Sequence, residues 1–296
     1  MAGERPDDRV TVAVITRNRR ASLLHTLDRL AELPEQPPVV VVDNGCTDAT
    51  ASAVRAHPVG ARLLSPGRNT GALGRNLAVR AAGTRYVAFS DDDSWWAPGA
   101  LAEAADVLDA HPRLGLLAAR TLVGAGAAED PLNALLATSP LPAEPDLPGR
   151  PVLGFLGCAA VARRAAFLDV GGYHPVLFFG AEETLLAYDL AAAGWGVAYL
   201  ASITAHHRPA PRPRTGRSPL LLRNALLTAW LRRPRRVALR RTAALAGAAV
   251  RGDPVAVRAL TGTVRRLPAA LAERRPLPAR TERAVRLLED VQRGAR

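Results

Sequence analysis

Tyr86-Val87-Ala88-Phe89-Ser90-Asp91-Asp92-Asp93 is the stretch whose reading decides the fold. An apolar strand-forming run passes directly into three acids, so a strand ends where like charge accumulates. Working outward, Val10–Ile15 and Val39–Val42 repeat the arrangement and end in Thr16-Arg17 and Asp43-Asn44. Four successive valines show no alternation, the pattern of a parallel strand buried on both faces. Helical spacing of Leu23, Leu24, Leu27 and Leu30 fills Ser22–Leu33. A second helix capped by Thr47 or Asp48 runs to about His57, Arg62–Leu64 is a short strand, and Gly74–Ala82 is a third helix. This alternation predicts an α/β fold, with a Rossmann-like, mostly parallel central sheet flanked by helices. Ligands of such sheets bind beyond the carboxyl ends of the strands, where all three polar clusters lie.

Further along, a helix over Ala100–Ala110 and a strand near Leu114–Ala118 precede a Pro- and Gly-rich stretch, Gly124–Pro151, read as an irregular loop or lid. Gly157–Val161 is a strand, Arg164–Leu168 a helical turn, Glu182–Ala193 a helix stopped by Gly194, and Val197–Leu200 a last strand before His206-His207. The expected division is a domain over 1–210, a Pro/Arg-rich linker over 211–218 and a basic helical extension over 219–296.

The 296 residues carry 39 basic and 27 acidic side chains, a net charge of +12, and every basic residue is Arg. The charge is unevenly placed: residues 1–200 hold 17 Arg against 22 acids, and residues 201–296 hold 22 Arg against five. A polyanion-binding surface therefore belongs, if anywhere, to the last third. Two cysteines, Cys46 and Cys158, are too few for a disulfide framework or a thiolate zinc site. No secretory apolar segment opens the chain and no run of about 18 apolar residues crosses a membrane. The expected location is the cytoplasm, with peripheral attachment at the inner face of the plasma membrane as a further option.

Asp91–Asp93 has two readings: a solvated turn capping the Ala100 helix, or hard oxygen ligands for Mg²⁺ or Mn²⁺ held together with substrate phosphates. Asp43 is an N-cap or an acceptor for a ring N–H or sugar hydroxyl. Gly67–Asn76 offers backbone N–H groups and two arginines near a helix start, a plausible diphosphate cradle that matches neither the dinucleotide fingerprint nor a P-loop. Glu182 and Glu183 either complement a helix dipole or supply a general base.

Taken in order, VITRNR (14–19), VVDNGCTD (41–48), GRNTGALGRNLA (67–78) and FSDDD (89–93) resemble the nucleotide-sugar-binding half of family 2 glycosyltransferases, which have the GT-A fold. The resemblance continues through Gly171-Gly172-Tyr173, Gly180-Ala181-Glu182-Glu183 and Ala192-Ala193-Gly194-Trp195 and ends at Ala205-His206-His207, covering about residues 9–210. It implies that Thr16 and Arg17 pack beside the nucleotide and that Asp43 contacts the base. Asn69, Gly71, Arg75 and Asn76 would lie beside base and diphosphate, and Asp91, Asp92 and Asp93 form the DxD segment that binds ribose and the bridging Mn²⁺ or Mg²⁺. His206 would complete the metal site, only one of the two adjacent histidines facing inward. Glu182-Glu183 stand where the family has Glu-Asp, which makes Glu183 the favoured base with Glu182 as the alternative. One of Trp95 and Trp96 belongs to the core, and one would stack on a sugar.

The implied activity is inverting transfer of one sugar from a nucleotide-diphosphate sugar, UDP- or dTDP-linked, to an acceptor hydroxyl. The Q/R-x-x-R-W motif of the processive members is not in the sequence, which argues for single transfer. A catalytically silent GT-A domain acting as a membrane- or partner-binding module is the competing reading. A sugar-1-phosphate nucleotidyltransferase lacks its Gly-rich start here. For the extension, whose LLLRNALLTAWLRRPRRVALRR (220–241) alternates Leu and Trp with Arg, three readings stand: helices folded on the catalytic domain, helices lying on an anionic membrane, or a nucleic-acid surface, the last without any motif in its favour.

Overall fold

The computed structural model describes residues 8–209 and 217–294. Its strands are β1 (Val10–Thr16), β2 (Val39–Asp43), β3 (Arg62–Leu64), β4 (Tyr86–Asp91), β5 (Ser94–Trp96), β6 (Leu114–Val123), β7 (Ala128–Glu129), β8 (Arg150–Pro151), β9 (Ala160–Arg163) and β10 (Gly196–His207). Its helices are α1 (Arg20–Ala31), α2 (Thr50–Ala56), α3 (Leu73–Ala81), α4 (Ala100–Ala110), α5 (Pro131–Ala137), α6 (Arg164–Asp169), α7 (Glu182–Ala192), α8 (Arg217–Arg232), α9 (Arg235–Val250), α10 (Pro254–Ala272) and α11 (Ala279–Gly294).

These strands form one sheet in the order β3-β2-β1-β4-β9-β6-β10-β5, with β7 beside β6 and β8 beside β10. The pairs β1·β2, β1·β4, β2·β3 and β6·β10 are parallel, while β9 runs antiparallel to both of its neighbours. The valines of β2 divide between the two faces. Val39 and Val41 join the core under α1 and α4, and Val40 and Val42 join the core under α3, α6 and α7. Each such side chain, fully buried, contributes roughly 1.5–3 kcal/mol. The α/β reading, its mostly parallel sheet and its helical C-terminus are all present.

Three expectations need correction. Gly124–Pro151 is not one irregular loop, because Asp130 caps α5, its carboxylate accepting from Leu132 N–H at 2.8 Å with Pro131 in the first turn. The strand read as Val197–Leu200 runs on to His207, through an irregularity between Leu200 and Thr204 that restarts its pairing with β6. Ser94–Trp96 is an edge strand pairing with β10, where the sequence suggested only a turn. The predicted linker 211–218 lies mostly outside the described residues, and α8 begins at Arg217.

The C-terminal helices pack on the sheet half. Leu227, Leu231 and Ala270 form a small core with Val176, Leu177 and Leu185, and Val285 of α11 packs with Leu141 and Leu153. In the Leu/Arg stretch of α8, Leu226, Leu227 and Leu231 are buried, and so are Arg223, Arg232 and Arg233. That side of the alternation is a core face, while Leu220 and Leu222 are exposed. Among the described residues no helix is long and apolar enough to cross a membrane.

Candidate functional site

The carboxyl ends of β1, β2 and β4 meet side by side, Thr16 pairing with Asp43 and Ile15 with Asp91. Asp92 turns inward there: Thr16 Oγ1 donates to its carboxylate at 3.0 Å and Thr26 Oγ1 to its carbonyl at 3.0 Å. Burial pushes the Asp92 carboxyl up to about 7 against the pull of Arg19. Expected to face the donor, Asp92 instead anchors the turn from below.

Arg19, which sequence reasoning passed over, is the cation of this turn. Its Nη1 lies 2.7 Å from Asp92 and 2.8 Å from Asp93. Arg17, the expected contact, is exposed. The reason is local: Asn18 adopts a left-handed backbone (φ 53°), and its side chain accepts from Thr47 N–H at 2.7 Å. That reversal brings the second arginine back over the strand end. Strand alternation alone pointed to the first.

Asp93 is 2% exposed and His207 Nε2 lies 3.3 Å from its Oδ1. Burial pushes the Asp93 carboxyl up, but His207 and Arg19 outweigh it and hold the group below the ordinary value. His206, the expected ligand, points elsewhere and stacks on Trp95, with ring centroids 5.6 Å apart at 14°. Register explains the difference, since His206 pairs with Trp95 and His207 with Ser94 at the foot of the acid turn. Trp96 is core, and Trp95 is taken up by His206, His25 and Arg29 of the protein itself.

Among the described residues no three His, Cys, Asp or Glu side chains gather as a metal site, and Asp93 with His207 is the pair that fits a divalent cation. Both Asp93 carboxylate oxygens and His207 Nε2 are buried and make no hydrogen bond, with Arg19 and His207 at ion-pair distance from the carboxylate. One carboxylate and one imidazole are a small set, yet Mg²⁺-type ions are held by one or two protein groups and complete their shell with phosphate and water.

Segment 67–76 is fastened to β2 by Asn44. Its side chain accepts from Thr70 N–H at 2.7 Å and donates to Gly71 O at 2.9 Å. Asp43, 8% exposed, accepts from Cys46 N–H at 2.7 Å and does not cap α2, whose N-cap is Ala49. Asn69 is exposed and accepts from Gly71 N–H at 3.0 Å. Gly71 has φ 59°, and a Cβ there would collide with the Phe178 carbonyl. Asn76 does not face the crevice: it clamps Tyr173, donating to its O and accepting from its N–H, both at 2.9 Å.

Arg75 ties the crevice together. At 2% exposure its guanidinium pairs with Asp91, stands 3.9 Å from Glu182 and lies over the Tyr173 ring, leaving Nε and Nη1 without hydrogen-bond partners. Burial works against its charge, but Asp91, Tyr173, Glu182 and Glu183 together raise its pKa further. Glu182 is 2% exposed; burial, then the neighbouring Glu183, push its carboxyl up to about 8. Glu183 is half-buried, its Oε1 2.8 Å from where a Cβ on Gly157 would stand. Gly157 thus leaves the room in which that carboxylate sits, a role no local pattern announced. Cys158, beside it, is buried and its thiol pushed well above the ordinary range.

A family model described as glycosyl transferase family 2 matches residues 11–171. A curated relative, the N-acetylglucosaminyl-diphospho-decaprenol L-rhamnosyltransferase of Mycobacterium tuberculosis (strain CDC 1551 / Oshkosh), is 29% identical over 250 residues, which cover 72% of this chain and 79% of the relative. Among solved structures, a mannosyltransferase from Pyrobaculum calidifontis in complex with GDP-Man and Mn²⁺ superposes with a TM-score of 0.57 at 24% identity, covering 98% of this chain and 82% of that one. GalNAc-T7 with UDP, GalNAc and Mn²⁺ gives a TM-score of 0.58 at 13% identity over 75% of this chain, which spans 47% of its length. These two structural likenesses are of fold.

Proposed function

The chain belongs to glycosyl transferase family 2 and is a glycosyltransferase; from that premise we propose inverting transfer of a single sugar from a nucleotide-diphosphate sugar to an acceptor hydroxyl. One observation carries the reading: Arg75 joins Asp91 at the end of β4 to Glu182 at the start of α7, so both groups of acids border one crevice.

Glu183 is the base of this reading. Glu182 keeps its proton to about 8 and so does not accept another at neutral pH, while Glu183 is the more accessible member. Removing a proton from the acceptor hydroxyl as it attacks the anomeric carbon is general-base chemistry. Arg75 keeps Asp91 and the α7 acids at fixed separation, and Thr16, Arg19 and Asn44 fix the strand ends that would cradle the nucleotide. Asp43, Asn69, Gly71 and Asp91 border the proposed nucleotide-sugar site. Asp93 and His207 would hold the divalent cation, which when bound neutralises the departing diphosphate.

UDP- or dTDP-linked sugars are the donors expected. Titrating the whole chain with UDP and with dTDP, with and without Mn²⁺, tests the reading. Binding of either nucleotide that strengthens with Mn²⁺ supports it; no metal-dependent binding to any nucleoside diphosphate would sink it and return the silent-domain alternative.

A second reading concerns where the enzyme works. On α10, Val257, Val264 and Leu271 are 45%, 60% and 46% exposed and seven residues apart, so they form one stripe. The exposed Arg258 and Arg265 form a parallel stripe beside it. An apolar stripe flanked by arginines suits an anionic bilayer surface. The relative acts on an acceptor named as a diphospho-decaprenol, and a lipid-linked acceptor here would place that face at the membrane. Binding of the chain to vesicles containing anionic lipid, and not to neutral ones, tests it.

A further inference from the structure

The two acids sit at the head of α7 behind an unusual turn. Phe178 and Ala181 both have left-handed backbones (φ 65° and 61°) without being glycine, and Gly180 has φ 90°. Two left-handed non-glycine residues within four positions are strained, and such a turn persists only where its surroundings hold it.

Two regions hold it. From the nucleotide side, Ala72 N–H donates to Phe178 O at 2.7 Å, with Gly71 pressed against the same carbonyl. From the C-terminal helices, Asn224 of α8, 0% exposed, donates to Leu177 O at 3.1 Å, to Phe179 O at 2.9 Å and to Gly180 O. The neighbouring Arg223 donates to Leu177 O at 2.9 Å and to Asn224 Oδ1 at 2.8 Å, which fixes the amide's orientation. Arg223 is in turn wedged against Gly262 of α10, where a Cβ would lie 2.8 Å from its Cδ. Leu177 O also accepts from Phe179 N–H at 2.8 Å, so it is at Phe179 O and Gly180 O that the Asn224 amide matters most.

We propose that Asn224 is a positioning residue for the transfer reaction: through the carbonyls of 177–180 it sets where α7 begins, and so where Glu182 and Glu183 stand. The C-terminal helices are then part of the reaction centre, and their seating on the sheet half is felt at the base. The proposal rests on the reading of Glu182 and Glu183 as the acids of the transfer site.

The test uses the full chain carrying Asn224→Leu, which keeps the side chain's bulk and removes its donors. Hydrogen–deuterium exchange reads the clamp without any ligand. Amides of residues 177–183 are expected to exchange roughly tenfold faster or more, the effect of taking the amide donor from the Phe179 and Gly180 carbonyls, with β1, β2 and β4 unchanged. Hydrolysis of whichever nucleotide sugar most raises the wild-type melting temperature reads the reaction. There kcat is expected to fall while the donor KM stays put, and Asn224→Gln to recover part of the loss. Unchanged exchange at 177–183, an equal rise throughout the sheet, or intact kcat would each overturn the positioning role. If Asn224→Leu does not fold, Arg223→Met, which removes the bonds to Leu177 O and to Asn224 Oδ1, must show the same pattern more weakly, and its absence overturns the proposal equally. A loosened segment in a protein whose wild type turns over no nucleotide sugar would leave the clamp standing and overturn the assignment of the acids.

Discussion

In the sheet half, Arg19 and Arg75 stand against carboxylates at the strand ends, and several of the polar atoms there make no hydrogen bond. In the C-terminal helices, Arg232 meets both oxygens of Asp189 on α7, and Arg233 meets Glu282 and Glu289 of α11. The first arrangement leaves polar atoms without hydrogen bonds; the second is closed on itself. Identical side chains gather acids at the strand ends in one region and lock helices together in the other. The surplus of arginine in the last third is therefore not one electrostatic surface. Part of it is internal mortar, and part, Arg258 and Arg265 of α10 included, is exposed.

The comparison breaks most readily at the acids. Glu183→Gln is expected to lower sugar transfer by roughly 10²–10⁴-fold, the usual share of a general base, while UDP or dTDP binding in Mn²⁺ changes little. Steady-state kinetics beside a nucleotide titration separates the two. A larger loss in Glu182→Gln would exchange the roles of the pair.

The closed side is tested by Arg233→Met. Arg233 is 1% exposed, and removing it leaves Glu282, 6% exposed, with the half-exposed Arg286 still 2.8 Å away. Loss of one partner from a buried pair costs roughly 3–5 kcal/mol, the upper bound here because Arg286 compensates part of the charge, and denaturant unfolding reads it. A loss below about 1 kcal/mol would place the pair among solvent-screened surface bridges and remove the contrast.

How much of this was legible follows the same division. β1, β2 and β4 could be read because a β-branched run ending in a polar cluster is a local pattern, and Asp91 at the end of β4 does pair with Arg75. Arg19 and His207 were missed by one or two positions, since a left-handed Asn18 and the pairing of His206 with Trp95 decide which neighbour faces inward. Strand parity does not carry that information. Asn76 and Asp92 have the right chemistry for a ligand but are engaged by Tyr173 and Thr16, which only tertiary packing reveals. In the C-terminal helices the Leu/Arg alternation was visible, but whether it faced lipid or protein depended on α7, 30 residues and more upstream in the chain.

A smaller effect comes from pH. Glu182 ionises at about 8 in the fold against an ordinary 4.5, because burial and then Glu183 penalise its charge. Between those values the folded chain binds the extra proton, so stability is fully present below 4.5 and is lost as pH rises through about 8. Asp92, raised to about 7, adds a slope of the same sign, and Asp93, which is lowered, adds one of opposite sign. Glu182→Gln removes the first contribution and leaves the others. The melting temperature of the variant relative to wild type should therefore climb from pH 5 to pH 9, at about 2–4 °C for each kcal/mol recovered. A gap independent of pH would mean that Glu182 is ionised throughout, and the crevice would then hold one more negative charge than its geometry suggests.

The least effect on the fold is expected on α10, where the partner-facing arginines are distinguished from the internal ones. Val264 is 60% exposed, so Val264→Asp should change unfolding free energy by no more than about 0.5 kcal/mol. At an anionic bilayer the same change removes apolar contact worth roughly 0.8 kcal/mol for each buried CH₂ and sets a carboxylate against like charge. Partition into anionic vesicles should fall about tenfold or more, since 1.4 kcal/mol is a factor of ten. Arg258→Gln, which keeps the stripe and removes one cation, should cost less, near 1 kcal/mol, and its effect should vanish at high salt. If both variants partition as wild type does, the α10 face is an ordinary solvated surface, and the outer arginines have no more part in locating the enzyme than the buried ones.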